Sequence, residues 1–227
     1  MIKAVIFDLD GTLCDTMEDL LTAMNAMLRS FGWPERTRGE LLRFINRGAR
    51  AFVADSMPEG SHSSPDDEIV SRALKVYNDC YAACCGDKTV PYEGIKEALV
   101  GLSKKYALGV LSNKQEPFVR LIIDSVFPGI FTSVHGNADG VPTKPDPRSL
   151  DRCLSELGAE PSECVFVGDS DVDMLTGNNA GMISLGVLWG YRDRATLEGA
   201  GAAALCEKPA DLPAVIGRLG APASSES

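Results

Sequence analysis

Lys3-Ala4-Val5-Ile6-Phe7-Asp8-Leu9-Asp10-Gly11-Thr12-Leu13-Cys14-Asp15 is the stretch whose reading decides the fold. Its apolar half is rich in β-branched residues and too short for a helix, and it stops at two aspartates one residue apart, followed by a glycine. This pattern predicts a buried central strand that delivers carboxylates to its carboxyl end. In an open α/β sheet that edge is where ligands bind. Two carboxylates so placed repel each other unless a cation or a shared proton relieves them. A bound Mg²⁺ is the simplest relief.

Beyond Asp15 the period changes from strand to helix. Leu20, Ala23, Met24, Met27, Leu28 and Phe31 fall on one helical face, which Gly32 and Pro34 bring to an end. A second helical stretch, 38–57, carries Leu41, Leu42, Phe44, Ile45 and Phe52 and is interrupted at Asn46-Arg47-Gly48. A third, 66–85, carries Ile69, Val70, Ala73, Leu74, Val76 and Tyr77. A βα connection normally takes about two to six residues, so an all-helical block from 16 to 86 is an insertion. The expected organisation is a helical cap domain at 16–86 inside a discontinuous core, 1–15 and 87–227. Its hinges fall near Asp15-Thr16 and between Gly86 and Gly94.

After the block, strands and helices alternate. Strands are expected at 107–111, 130–134, 164–168, 182–188 and 203–206, and helices at 95–105, 117–126, 147–157 and from Asp169 to about Ala180. Gly181 suits a left-handed cap on the last of these. The alternation predicts an α/β protein with a doubly wound, Rossmann-like parallel sheet. The Ala/Ser-rich tail from Gly220 is expected to fray.

The bulk properties narrow the function. With 32 acidic and 22 basic residues the 227-residue chain carries a net charge of −10, which disfavours a nucleic-acid or anionic-membrane partner. No apolar run approaches the ~20 residues that cross a bilayer, and Met1-Ile2-Lys3 leads into the strand without a signal-peptide pattern, so a cytoplasmic location is expected. Seven cysteines without a Cys-x-x-Cys pair fit neither a disulfide framework nor a zinc site and are expected to be reduced. His62 and His135 are the only histidines, too far apart in sequence to suggest a triad or metal site.

Strands are expected to finish in polar clusters on one sheet edge, and these, with a lysine on a loop, supply what phosphoryl transfer requires. Asp8 and Asp10 come first; an aspartate can serve as a covalent nucleophile. Ser112 and Asn113, after Leu108-Gly109-Val110-Leu111, offer a hydroxyl and backbone N–H groups to phosphoryl oxygens. Lys144, in the proline-stiffened Thr143-Lys144-Pro145-Asp146-Pro147, can screen charge shared between Asp8 and a phosphate. Asp169 and Asp173, in Gly168-Asp169-Ser170-Asp171-Val172-Asp173, lie four apart and are expected on one face of a first helical turn. Mg²⁺ takes hard oxygen ligands and keeps several waters. Asp8 and Asp169 are the expected direct ligands, with Asp173 holding a metal water or orienting Lys144, and Asp171 solvated.

Asp8-x-Asp10-Gly11-Thr12-Leu13-x-Asp15, Ser112-Asn113, Lys144-Pro145-x-Pro147 and the Asp169/Asp173 run resemble, in order, the four motifs of the haloacid dehalogenase-like superfamily. The resemblance covers the whole chain. It implies that Asp8 attacks phosphorus, and that Asp10 protonates the leaving oxygen, activates water and binds the metal through its backbone carbonyl. Thr12 and Asp173 would support the site. It also implies that the helical insertion closes over the site and sets specificity. The extended first motif with Glu18-Asp19-Leu20, together with Arg36-Thr37, Gly48-Ala49-Arg50 and Val187-Leu188-Trp189-Gly190-Tyr191-Arg192, is similar to the phosphoglycolate phosphatase group. Haloacid dehalogenases lack the second aspartate, so Asp10 argues against carbon–halogen chemistry.

The chain departs from that group at Asn46, where glycine is usual. Arg47 and Arg50 are the nearest cap cations that could meet a substrate carboxylate, but helical arginines are more often solvated, and both stand outside the expected catalytic set. The expected activity is Mg²⁺-dependent hydrolysis of a small phosphorylated metabolite, 2-phosphoglycolate first, by a monomer or homodimer. A sugar phosphomutase, another small-molecule phosphatase such as a nucleotidase or pyrophosphatase, and a non-catalytic binding module are the alternatives.

Overall fold

The computed structural model describes residues 1–220. The opening run forms β1 (Ala4–Phe7), buried throughout. Val5 and Phe7 pack on one face with Leu99, Val119 and Ile216, while Ala4 and Ile6 pack on the other with Leu150 and Cys153. Burial on both faces explains a continuous apolar run instead of an alternating one.

Along the chain follow β2 (Cys14–Asp15), α1 (Met17–Ser30), α2 (Arg38–Phe44), α3 (Ala49–Ser56), α4 (Glu68–Ala82), β3 (Val90–Pro91), α5 (Ile95–Ser103), β4 (Ala107–Gln115) and α6 (Glu116–Val126). Then come β5 (Ser133–Asn137), a 3₁₀ turn (Pro147–Leu150), α7 (Asp151–Leu157), β6 (Cys164–Gly168), α8 (Asp171–Ala180), β7 (Ile183–Val187), α9 (Arg194–Gly199), β8 (Ala204–Cys206) and α10 (Leu212–Leu219). The main sheet has six parallel strands in the order β5-β4-β1-β6-β7-β8, with β1 at its centre. Ala4 pairs with Ala107 on one side and Cys164 on the other, which brings the ends of β1, β4 and β6 level.

The 16–86 region is helical, as expected, with an apolar cluster of its own built from Met24, Leu28, Leu41, Phe52, Val70 and Tyr77 among others. The chain leaves and re-enters the sheet side by side, because β2 and β3 pair antiparallel, Cys14 with Pro91 and Asp15 with Val90. The expected second helix is two, α2 and α3, parted where Asn46 and Gly48 take positive φ. Thr37 opens α2 with a capping box to Glu40.

Three further expectations shift. The strand expected at 130–134 is β5, at 133–137, because Gly129 turns the chain and Phe131 is spent on packing edge-to-face against Phe7 and Phe127. The helix expected at 147–157 begins as a 3₁₀ turn capped by Asp146. α8 starts at Asp171, so Asp169 precedes it; Gly181 caps its end in the left-handed conformation, as expected. All seven cysteines are free thiols. No helix among the described residues is long and apolar enough to cross a membrane. The tail expected to fray lies, beyond Gly220, outside the described residues.

Candidate active site

The parallel register sets the end of β1 beside that of β6, and the Asp8 N–H donates to Val167 O at 2.9 Å. Asp8, Asp169 and Asp173 are buried there, and each offers a carboxylate oxygen within 4.8 Å of the others. Lys144 reaches into the group from its proline-flanked loop. Its Nζ lies 2.7 Å from Asp8 Oδ1 and 2.6 Å from Asp173 Oδ1, above the Phe166 ring.

Each carboxylate is held from behind. Asp169 accepts from Thr12 Oγ1 at 3.1 Å and from the Tyr191 N–H at 2.7 Å. Asp173 Oδ2 accepts from the Ser170 N–H at 3.0 Å and Ser170 Oγ at 2.6 Å, while Ser170 Oγ in turn accepts from the Asp173 N–H. That reciprocal capping box starts α8 and leaves Asp173 Oδ1 for Lys144. Asp169 and Asp173 therefore converge from a strand end and a helix start, not from one helical face as the spacing suggests. Asp171 is half-exposed, with the Arg192 guanidinium 4.0 Å away.

Burial is the main force on these groups. It raises the Asp8 carboxyl to about 7; repulsion from Asp173 and Asp10 adds to the shift, and Lys144 opposes it. Burial also pushes Asp169 well up, with Asp173 and Asp8 contributing. Lys144 would be lowered by burial, but Asp173 and Asp8 outweigh that and raise it. One ammonium thus leaves Asp8 and Asp169 short of positive charge. An all-oxygen donor set that is under-neutralised suits Mg²⁺. The backbone makes room for the Asp169 side chain: a Cβ on Gly11 would stand 2.3 Å from Asp169 Oδ2, and one on Gly190 2.2 Å from Asp169 Cβ.

Asp10 stands outside this trio. Its Oδ1 accepts from the Thr16 hydroxyl and lies 2.7 Å from Lys114 Nζ. Asp8, Asp10, Ser112, Asn113 and Lys144 line one cleft, about 570 Å³ with its opening to solvent, between the sheet edge and the helical block. Ser112 Oγ accepts from the Lys114 N–H at 3.2 Å. The Asn113 side chain is engaged with backbone: it accepts from the Lys144 N–H at 2.9 Å and donates to Lys144 O and to Asn46 O, each at 3.0 Å.

Arg47 and Arg50 do not reach the cleft. Arg47 is exposed and pairs with Asp55, and Arg50 donates to Pro65 O and Ser71 Oγ. Lys114 is the cation that the sequence reading passed over. It stands near the end of β4, directly after Ser112-Asn113, at the polar mouth of a buried strand. Tyr191 was also missed as a site residue. Its N–H holds Asp169, while its hydroxyl donates to Asp15 Oδ1 and accepts from the Thr16 N–H, both at 3.1 Å.

Residues 5–187 match the model of the haloacid dehalogenase-like hydrolases. The phosphoglycolate phosphatase of Psychrobacter arcticus is 35% identical over 195 residues, 83% of this chain and 84% of that protein. That of Pseudomonas putida is 33% identical over 192 residues, 83% of this chain and 70% of its own. A crystal structure from Lactobacillus delbrueckii subsp. bulgaricus, provisionally a phosphoglycolate phosphatase, superimposes with a TM-score of 0.85. It is 31% identical and covers 94% of this chain and 98% of that one.

Proposed function

The chain belongs to the haloacid dehalogenase-like hydrolase family, and from that footing we propose that it hydrolyses a small phosphate monoester with Mg²⁺, 2-phosphoglycolate first among candidates. One observation carries the reading: a buried aspartate, Asp8, stands at the sheet edge with Lys144 on one carboxylate oxygen and Asp169 within 4.8 Å. Asp8 and Asp169 would hold the metal, with the Asp10 carbonyl; when bound it supplies the positive charge that screens nucleophile from phosphate. Asp173 positions Lys144.

In the first step an Asp8 oxygen bonds to phosphorus, the ester P–O bond breaks, and Asp10 gives its proton to the leaving oxygen. In the second, water attacks phosphorus, Asp10 takes the water's proton, and Asp8 leaves as carboxylate. Ser112, the Asn113 backbone and Lys144 steady the phosphoryl oxygens throughout. The two roles of Asp10 fit its position in the cleft with Asp8, outside the metal trio. The helical block, 16–86, is the cap, and the β2–β3 ribbon its double hinge. Closing it would exclude stray water from the acyl phosphate.

The relatives named phosphoglycolate phosphatase support the substrate. The test is phosphate release, with Mg²⁺ and with chelator, from 2-phosphoglycolate, sugar phosphates, nucleotides, pyrophosphate and p-nitrophenyl phosphate. Mg²⁺-dependent preference for 2-phosphoglycolate is expected. Preference for another ester would overturn the substrate, and metal-independent turnover the mechanism.

A further inference from the structure

The cleft above Asp8 keeps hydrogen-bonding capacity that phosphoryl transfer does not use. Lys114 is buried, and its ammonium meets Asp10 Oδ1 at 2.7 Å and Tyr81 Oη at 2.8 Å, 4.8 Å from the centre of the Tyr81 ring. An ammonium has three donors. These two partners leave one.

Asn46 faces the same cleft from the joint between α2 and α3. It is the one non-glycine residue at positive φ among the described residues, +87°. Asparagine tolerates that conformation better than most residues, and such strain collects at ligand sites. Its carbonyl accepts from Asn113, which is itself bonded twice to the Lys144 peptide. The strained peptide is thus tied to the loop that carries the active lysine. Its side-chain Nδ2 is buried with no partner, and so is Oδ1 of Asn78, on α4 and in the same cleft. A buried amide left unpaired is costly unless something arrives to pair it. Among the described residues no arginine lines this cleft.

We propose that Lys114, Asn46 and Asn78 form a subsite for the leaving group, reading a carboxylate carried close to the ester oxygen. This rests on the hydrolase reading and deepens it: the substrate class becomes the phosphate esters of short hydroxy acids. The carboxylate takes the spare donor of Lys114 and the amide of Asn46. Asn78 completes the shell through its amide N–H₂, which a half-turn of the side chain presents in place of Oδ1. Lys114 also pairs with Asp10, so seating the leaving group and placing its proton donor are linked. Asn46 is the member of this subsite at which the chain departs from the pattern its sequence otherwise resembles.

The experiment separates binding from turnover. In Asp8→Asn protein with Mg²⁺, calorimetry compares 2-phosphoglycolate with inorganic phosphate. The carboxylate should tighten binding about tenfold over phosphate, the worth of a charge-assisted hydrogen bond. Asn46→Gly keeps the backbone bond to Asn113 and relieves the positive φ; it and Asn78→Ala should each weaken 2-phosphoglycolate about fivefold more than phosphate. Lys114→Met should do so about tenfold. Equal weakening of both ligands, or none, overturns the subsite, as does a parent protein that binds 2-phosphoglycolate no tighter than phosphate. If Lys114→Met does not fold, Asn46→Gly and Asn78→Ala decide the matter. A wild-type protein that releases phosphate from no ester would overturn the hydrolase reading instead, and the affinity ratio would still judge the subsite.

Discussion

Replacing Asp19 with alanine tests how the helical block is fastened to the sheet. Asp19 sits in the first turn of α1, 1% exposed. Its carboxylate accepts from the N–H groups of Gly86 at 3.1 Å, Lys88 at 3.0 Å and Thr89 at 3.0 Å, and from the Thr89 hydroxyl at 2.7 Å. Every donor lies on the segment that returns the chain to the sheet, so this one carboxylate clasps the two hinges together. Thr89 is buried, and both of its donors would lose their acceptor. Gly86 and Lys88 are exposed, and water would replace most of what they lose.

Hydrogen bonds to a charged acceptor contribute about 1.5–3 kcal/mol each and do not add fully. The Thr89 pair therefore dominates, and Asp19→Ala should cost about 3 kcal/mol in all. Asp19→Asn keeps one acceptor oxygen but loses the charge, and should cost about half as much. Urea unfolding followed by Trp33 and Trp189 fluorescence gives both values from the shift of the midpoint at unchanged slope. Proteolysis around Gly86 should quicken in step, because the clasp sets local opening. A loss below about 1 kcal/mol for the alanine variant would refute the clasp.

Three other outcomes follow from the site. Because burial raises the Asp8 carboxyl to about 7 without metal, a proton competes with Mg²⁺ there. Mg²⁺ affinity should fall as pH drops through that value, by up to about tenfold per unit, with proton release on binding visible by calorimetry in buffers of different ionisation enthalpy; affinity flat between pH 8 and 6 would contradict it. Gly190→Ala puts a Cβ 2.2 Å from that of Asp169, so the carboxylate must move. Mg²⁺ binding should weaken about tenfold or more, from overpacking of 1–3 kcal/mol, and unchanged titration would show that Asp169 does not hold the metal. Lys144→Met strips Asp8 and Asp173 of their shared cation and should cut kcat/KM for phosphate release at least about a hundredfold; a fall under tenfold would place Lys144 outside the reaction.

The parts of the molecule legible in sequence are those whose chemistry is written locally. β1 and its aspartates, β6 and its acidic run, and Lys144 between prolines each announce themselves within a few residues. What stayed hidden depends on partners far along the chain. Asp19 reads as an ordinary acid in a helix's first turn, yet its donors lie 67 to 70 residues away. Tyr191 meets Thr16 and Asp15 across 175 and 176 residues. The β2–β3 ribbon, two residues to a strand, is too short for any period to show. α9 and α10, six and eight residues long, escape notice for the same reason. Arg47 and Arg50, the cap cations nearest to a substrate carboxylate in sequence terms, are taken up by nearer polar groups on the helical block.

The proposed mechanism requires Asp8 to become phosphorylated during turnover. Wild-type protein mixed with Mg²⁺ and 2-phosphoglycolate, quenched in acid within the first turnover and digested, should yield the peptide spanning Asp8 with one added phosphoryl group. The Asp8→Asn protein should yield none, and should release phosphate at least about a thousandfold more slowly. Undiminished turnover by Asp8→Asn, or a phosphoryl group found on another residue, would contradict the account.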